Sequence, residues 1–191
     1  MSDSLTSRLN AIVRKVTADD FLSGSGIGNE IAFYIFEYDP QEELTVRRHV
    51  KFLTDHIPKH KPGLCVKHVN LLDLVVDHLE DRKLLTRSFQ MQREKGDAHL
   101  LKVLEAVLDA QKLAPIFERI VAPDTCDLVL ISGVGSVFPL LRTHNLLWNL
   151  HARMGKTPLV MFYPGRYDGK FLRLFDKVKP SAYYRAFRLI P

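Results

Sequence analysis

The stretch from Asp127 to Asp168, DLVLISGVGSVFPLLRTHNLLWNLHARMGKTPLVMFYPGRYD, constrains the fold more than any other part of the chain. Leu128 to Ile131 is a continuous apolar run, the pattern of a strand buried on both faces. Ser132-Gly133-Val134-Gly135-Ser136 then turns the chain. Ser136 supplies an N-cap hydroxyl, and Pro139 falls in a first helical turn, where a missing N–H costs nothing. Leu140 with Leu147, and Leu141 with Trp148, repeat at seven residues and predict one apolar helix face, ended by Gly155. Leu159 to Tyr163 is the next buried run, closed by Pro164-Gly165. Strand, helix and strand in this order make a βαβ unit, which imposes parallel pairing and a right-handed crossover.

The other segments supply partners for that unit. Leu5, Leu9, Ile12, Val13 and Val16 recur at spacings of three and four, predicting a helix from Ser4 to Val16, with a short turn at residues 19–22. Ile31 to Phe36 reads as a strand. Asp39-Pro40-Gln41-Glu42 combines an N-cap, an N1 proline and an N3 acid, and predicts a helix to about His56, stopped by Pro58 and Pro62-Gly63. Leu64 to Val69 is a second strand, and Asn70 caps a helix carrying Leu71, Leu74, Val75, Val76 and Leu79. Residues 84–121 are helical in pattern, broken at Gly96-Asp97, with a final short helix opened by Pro115. Beyond Gly169, Phe171, Leu172, Leu174 and Phe175 predict one more helix, ended by Pro180-Ser181. Tyr184 to Ile190 alternates as an edge strand does. The expected fold class is α/β: one domain spanning 1–191, with a mostly parallel, Rossmann-like sheet of about five strands. Helices cover both faces, and residues 84–121 form a helical insertion between strands two and three.

Composition narrows the classes. The 191 residues are 46% hydrophobic, which excludes a disordered chain. No run approaches the roughly 18 apolar residues of a membrane span, and the N-terminus lacks the apolar block of a signal peptide. A cytoplasmic location is therefore expected. The two cysteines, Cys65 and Cys126, border apolar runs and read as buried free thiols. Of the net charge of +5, residues 151–191 carry +7, from nine Lys/Arg and two acids. That segment favours an acidic partner: nucleic acid, a phosphorylated ligand or an acidic protein surface.

Ligands in open parallel α/β sheets bind beyond the carboxyl ends of the strands. The residues there are Glu37, Tyr38 and Asp39; Asn70 and Asp73; Ser132, Gly133, Gly135 and Ser136; and Tyr163, Gly165, Arg166, Tyr167 and Asp168. Gly133, Gly135 and Ser136 leave a strand and enter a helix, so free N–H groups there make a candidate anion site, with Arg142 and Arg166 as cationic partners. The alternative is that the glycines only permit tight turning. Gly24, Gly26 and Gly28 precede a strand and lack the Lys-Ser/Thr of a phosphate loop.

No G-x-S-x-G elbow, H-E-x-x-H run or Cys/His zinc spacing occurs. His56 and His60 are separated by Pro58, and His144 and His151 read as packing or surface residues. No catalytic residue, metal or cofactor is assigned. Tyr167, Lys170, Arg173, Lys177, Arg185 and Arg188 form a candidate partner or nucleic-acid surface, since aromatics interleave with cations there. An ordinary amphipathic helix and strand would use the same pattern.

The runs GNEIAFYIFEYDP, VKHVNLLDLV, LVLISGVGSVFPLLRTHNLLWNL, TPLVMFYPGRYDGKFLRLF and YYRAFRLIP occur in this order. Over essentially the whole chain they resemble the BrxB family of bacterial BREX (bacteriophage exclusion) phage-defence systems. GVGSVFPLLR and FYPGRYDG carry the resemblance most specifically. It implies a core component of a multi-protein assembly with no catalytic activity of its own. The partner it implies is PglZ, a BREX protein of the alkaline-phosphatase superfamily. The large ATPase and the methyltransferase of these systems are further candidates. A nucleic-acid or phosphate-binding module of the same complex is the alternative, using the Gly133–Ser136 turn and the C-terminal cations.

Overall fold

The structure, a computed structural model, describes residues 4–23, 32–179 and 186–190. The glycines at 24, 26 and 28, the predicted strand start at Ile31, and Tyr183, Tyr184 and Arg185 lie outside the described residues.

Five strands form one parallel sheet: β1 (Phe33–Tyr38), β2 (Val66–Asn70), β3 (Leu128–Ser132), β4 (Leu159–Tyr167) and, skipping one, β6 (Phe187–Arg188). Their spatial order is β2-β3-β4-β1-β6. The strand skipped, β5 (Leu172–Leu174), pairs antiparallel with the far end of β4. Nearly every residue of β1, β3 and β4 is buried, as continuous apolar runs covered on both faces require.

Alternate residues feed two cores. Tyr34, Phe36, Leu128, Leu130, Val160 and Phe162 pack against α1 (Leu5–Val16) and α3 (Glu43–His60). Phe33, Ile35, Val129, Ile131, Leu159 and Met161 pack on the opposite face, against α4 (Leu71–Asp81), α7 (Ala110–Val121) and α9 (Thr143–Leu150). A five-residue helix, α2 (Asp19–Ser23), follows α1. Between α4 and α7 run α5 (Leu85–Lys95) and α6 (Asp97–Glu105), so a helical segment does separate the second and third strands.

Capping starts α4 where the sequence predicts it, and starts α7 at a residue the sequence reading does not single out. Asn70 Oδ1 accepts the Leu72 N–H at 3.0 Å and starts α4, and Asp109 Oδ1 does the same for Gln111 at 2.8 Å at the head of α7. Asp39 accepts from Gln41, but the first turn, Pro40–Glu42, is a 3₁₀ turn before α3.

Five expectations fail, each for a local reason. Pro58 does not end α3, because it lies in the last turn, and the helix runs on to His60 before Pro62 and Gly63. Pro115 does not open a helix. It sits exposed inside α7, whose buried Leu113, Ala114, Phe117 and Val121 hold the inner face while the proline faces water. The helix after the Ser132–Ser136 turn is split. A single turn, α8 (Val134–Val137), stops at extended Phe138, since the residue before a proline is driven out of the helical region. Helix α9 restarts only at Thr143, so Ser136 is inside α8 and is no N-cap, and the seven-residue rows from Leu140 and Leu141 fall in different elements. Pro164-Gly165 does not close β4, which continues to Tyr167. The predicted helix after Gly169 is β5, with Leu172 and Leu174 buried and Arg173 exposed between them.

Candidate functional site

Chain leaving β1 enters α3 on one face of the sheet, and chain leaving β3 enters α8 and α9 on the other. Such a switch opens the crevice where doubly wound proteins hold ligands. Here β4 lies between those two strands and runs on through the crevice. It pairs with β3 only as far as Met161 opposite Ile131, but with β1 as far as Pro164 opposite Tyr38. Beyond that, Gly165 to Tyr167 pair with Leu172 to Leu174 in a hairpin standing over the strand ends.

Glycines let the hairpin close. Gly165 has φ +151°, and a Cβ there would overlap the Arg173 carbonyl oxygen. Phe175 follows β5 and lies on Gly135, where a Cβ would stand 2.9 Å from its ring and 3.1 Å from Pro164. A Cβ on Gly133, at φ +75°, would overlap Asn70 Oδ1. Both glycines of the turn are therefore met by the protein's own side chains.

The polar groups around the turn are tied to one another. Tyr38 donates its hydroxyl hydrogen to Glu43 at 2.5 Å, and Arg47 reaches both Glu43 (3.2 Å) and Ser136 Oγ (3.5 Å). Burial first, and this hydrogen bond second, raise the Tyr38 pKa above the ordinary phenol value. His68 Nε2 and Ser132 Oγ lie 2.8 Å apart across β2 and β3. Burial lowers the His68 pKa and the nearby Asp73 carboxylate raises it, but no hydrogen bond joins His68 to Asp73. Sixty-four residues separate this hydroxyl–imidazole pair, so no local motif signals it.

The sequence-named cations divide into two groups. Arg166 pairs with Asp176 at 3.1 Å, Arg173 reaches the same carboxylate at 4.0 Å, and Arg188 pairs with Glu37 at 3.3 Å. Lys170 and Lys177 are exposed and make no ion pair among the described residues. Arg142 is exposed, its guanidinium 5.4 Å from the Phe138 ring centre. No hydrogen bond brings Arg142 or Arg166 to the Gly133–Ser136 turn. Tyr167 is no surface residue. It is 1% exposed, and its hydroxyl donates to the Ala186 carbonyl (2.8 Å) and accepts from the Ala186 N–H (2.9 Å). Arg185 lies outside the described residues.

Trp148 carries the opposite correction. The seven-residue row assigned it to the core, yet it is 67% exposed, because restarting the helix at Thr143 resets its phase. Glu118 on α7 pairs with Arg153 just beyond α9 at 2.6 Å, so an ion pair links the chain after Trp148's helix to α7. Ile120, 46% exposed, lies on that neighbouring helix. Among the described residues, no group of His, Cys, Asp and Glu is arranged to hold a metal ion, and no helix is long and apolar enough to cross a membrane.

Fold and rim define a doubly wound α/β protein whose crevice is occupied by its own hairpin, with a cationic edge and an exposed tryptophan. The profile of the family described as BREX protein BrxB matches residues 67–189. A protein named BREX protein BrxB from Bacillus cereus (strain H3081.97) is 37% identical over 190 residues, covering 97% of each chain. Another of that name from Escherichia coli O9:H4 (strain HS) is 39% identical over 184 residues, covering 96% of this chain and 90% of that one. No solved structure matches the chain. The chain belongs to the BrxB family, a component of BREX phage-defence systems.

Proposed function

We propose that this chain is a non-catalytic adaptor that docks PglZ within a BREX assembly, with other BREX proteins joining the same complex. The observation that carries the reading is Trp148, two-thirds exposed on a helix whose inner face packs in the same core as α7. A large exposed ring on a packed helix matches the anchor residues that dominate protein interfaces. The hairpin in the crevice supports the non-catalytic part, because the turn that would cradle a ligand is packed against Asn70, Pro164 and Phe175.

The second reading is nucleic-acid binding through the hairpin, and the exposed Lys170, Lys177 and Phe171 favour it. Co-purification of the operon products with this chain tagged separates the two, run beside a gel shift across a salt series. The adaptor reading expects PglZ to be retained in moderate salt and no shift of DNA or RNA. A shift that weakens steeply with salt, without PglZ, would favour the second reading.

A further inference from the structure

A cavity of about 40 Å³ lies between the start of α9, the end of β4 and the hairpin. Its walls are apolar, from Leu141, Leu172, Leu174 and Val178, and its polar side chains among the described residues are two hydroxyls, the His144 ring and two cations, with no carboxylate. Tyr163 is 3% exposed and Thr143 is 8% exposed, and neither hydroxyl has a hydrogen-bond partner among the described residues. Neither oxygen is among the fully enclosed unpaired atoms, His49 Nε2 and His78 Nε2, and both belong to residues that line this cavity. Two hydroxyls on otherwise buried side chains, uncommitted to any described residue, are therefore available at one cavity to donate to a ligand oxygen.

The backbone adds to this. Thr143 is the first residue of the eight-residue α9, and its N–H has no acceptor among the described residues. Arg142, at the N-cap, makes no side-chain cap bond. Arg142 and Lys179 stand at the rim, neither ion-paired among the described residues, and no carboxylate lines the cavity. His144 also lines it. One water needs about 10–15 Å³ of such space, so the cavity takes roughly three water-sized groups. That is room for a phosphoryl group and for nothing behind it.

We infer that this cavity is a binding site for a single phosphoryl group, held by the Tyr163 and Thr143 hydroxyls, the Thr143 N–H, Arg142 and Lys179. Several donors and two cations match the three or more oxygens and the charge near −2 of a phosphate monoester. A carboxylate would leave donors unused. The site is separate from the Gly133–Ser136 turn, and it stands whether or not Trp148 docks a partner.

The test is an amide NMR titration of the full chain with inorganic phosphate, phosphoserine and acetate. The Thr143 amide is expected to shift saturably with phosphate or phosphoserine and to respond weakly to acetate. Tighter binding of phosphoserine would mean that the group arrives on a larger molecule, and equal binding that free phosphate is the ligand. Arg142→Ala and Lys179→Ala, both exposed and clear of the core, should each weaken binding by about tenfold, the worth of one hydrogen bond to a charged group. Tyr163→Phe should do the same with melting unchanged. Arg166→Ala, whose partner is Asp176, should leave binding intact. No saturable shift, equal binding of acetate, or an equal loss in Arg166→Ala would each overturn the assignment.

Discussion

Arg188 in the last described strand forms an ion pair with Glu37 in the first, Nε to Oε1 at 3.3 Å, and both side chains also hold Tyr167. Glu37 Oε2 accepts the Tyr167 N–H, and Arg188 Nη2 donates to the Tyr167 carbonyl at 2.5 Å. The bridge joins β1, β4 and β6 at the point where the hairpin leaves the sheet. A cation that the sequence offers as a docking group thus has a bonding role inside the protein.

Removing either end should loosen the C-terminal strand. Arg188→Ala and Glu37→Ala are each expected to cost about 1.5–3 kcal/mol, the range for hydrogen bonds to charged groups. The double variant should lose less than the sum, because the two act on one network. Urea denaturation of the four proteins checks this. Additive losses would mean that the bridge contributes nothing of its own.

The glycines make a graded test of the closed crevice. Gly155→Ala meets nothing within 4 Å, so only its φ of +55° opposes the change, and a loss of about 1 kcal/mol is expected. Gly165→Ala sets a Cβ into the Arg173 carbonyl, and Gly135→Ala presses one onto Phe175. Gly165→Ala should lose at least about 3 kcal/mol, with its hairpin amides exchanging faster. Equal melting temperatures for Gly155→Ala and Gly165→Ala would contradict the packing described.

Acid should destabilise the fold early. Burial lowers the pKa of His49, His68, His78, His144 and His151 below the ordinary 6.5, so the folded state favours neutral rings. Below pH 6.5 the unfolded chain takes up protons that the folded one resists, so this stability is complete above 6.5 and falls as pH drops. His78→Gln, replacing a ring with a buried, unpaired Nε2, should flatten the fall between pH 7 and pH 5. Chemical denaturation at several pH values gives the slopes. An unchanged slope would remove His78 from the account.

The thiols should differ in reactivity. Burial pushes the Cys126 thiol up to about 11, and its Sγ donates to the Leu128 carbonyl at 3.2 Å, while Cys65 is half-buried. At pH 8 a thiol reagent should modify Cys65 first and leave Cys126 untouched until the protein unfolds. Mass spectrometry of the labelled peptides reads this directly. Equal labelling in the native protein would contradict the buried site.

The layers were legible because burial on both faces writes itself into β1, β3 and β4 as unbroken apolar runs, and Asn70 announces α4 by its cap. The hairpin was not. Phe171, Leu172, Leu174 and Phe175 fit a helix and a strand equally well at that length, and only pairing with Gly165–Tyr167 decides between them. The break before α9 is hard to see in the sequence because Pro139 fits a first helical turn, whereas its effect falls on Phe138. The same break exposes Trp148, which the seven-residue row of a continuous helix would bury. Tyr163, Thr143 and Lys179 come together only through the hairpin, so no spacing along the chain signals the cavity they share.

Binding of purified PglZ to this chain, measured by calorimetry for the native sequence and for Trp148→Ala, tests the adaptor reading most directly. The account predicts a saturable complex, weakened at least about 30-fold by removing the indole, as for an interface anchor worth 2 kcal/mol or more. No complex, or equal affinity for both proteins, would contradict it.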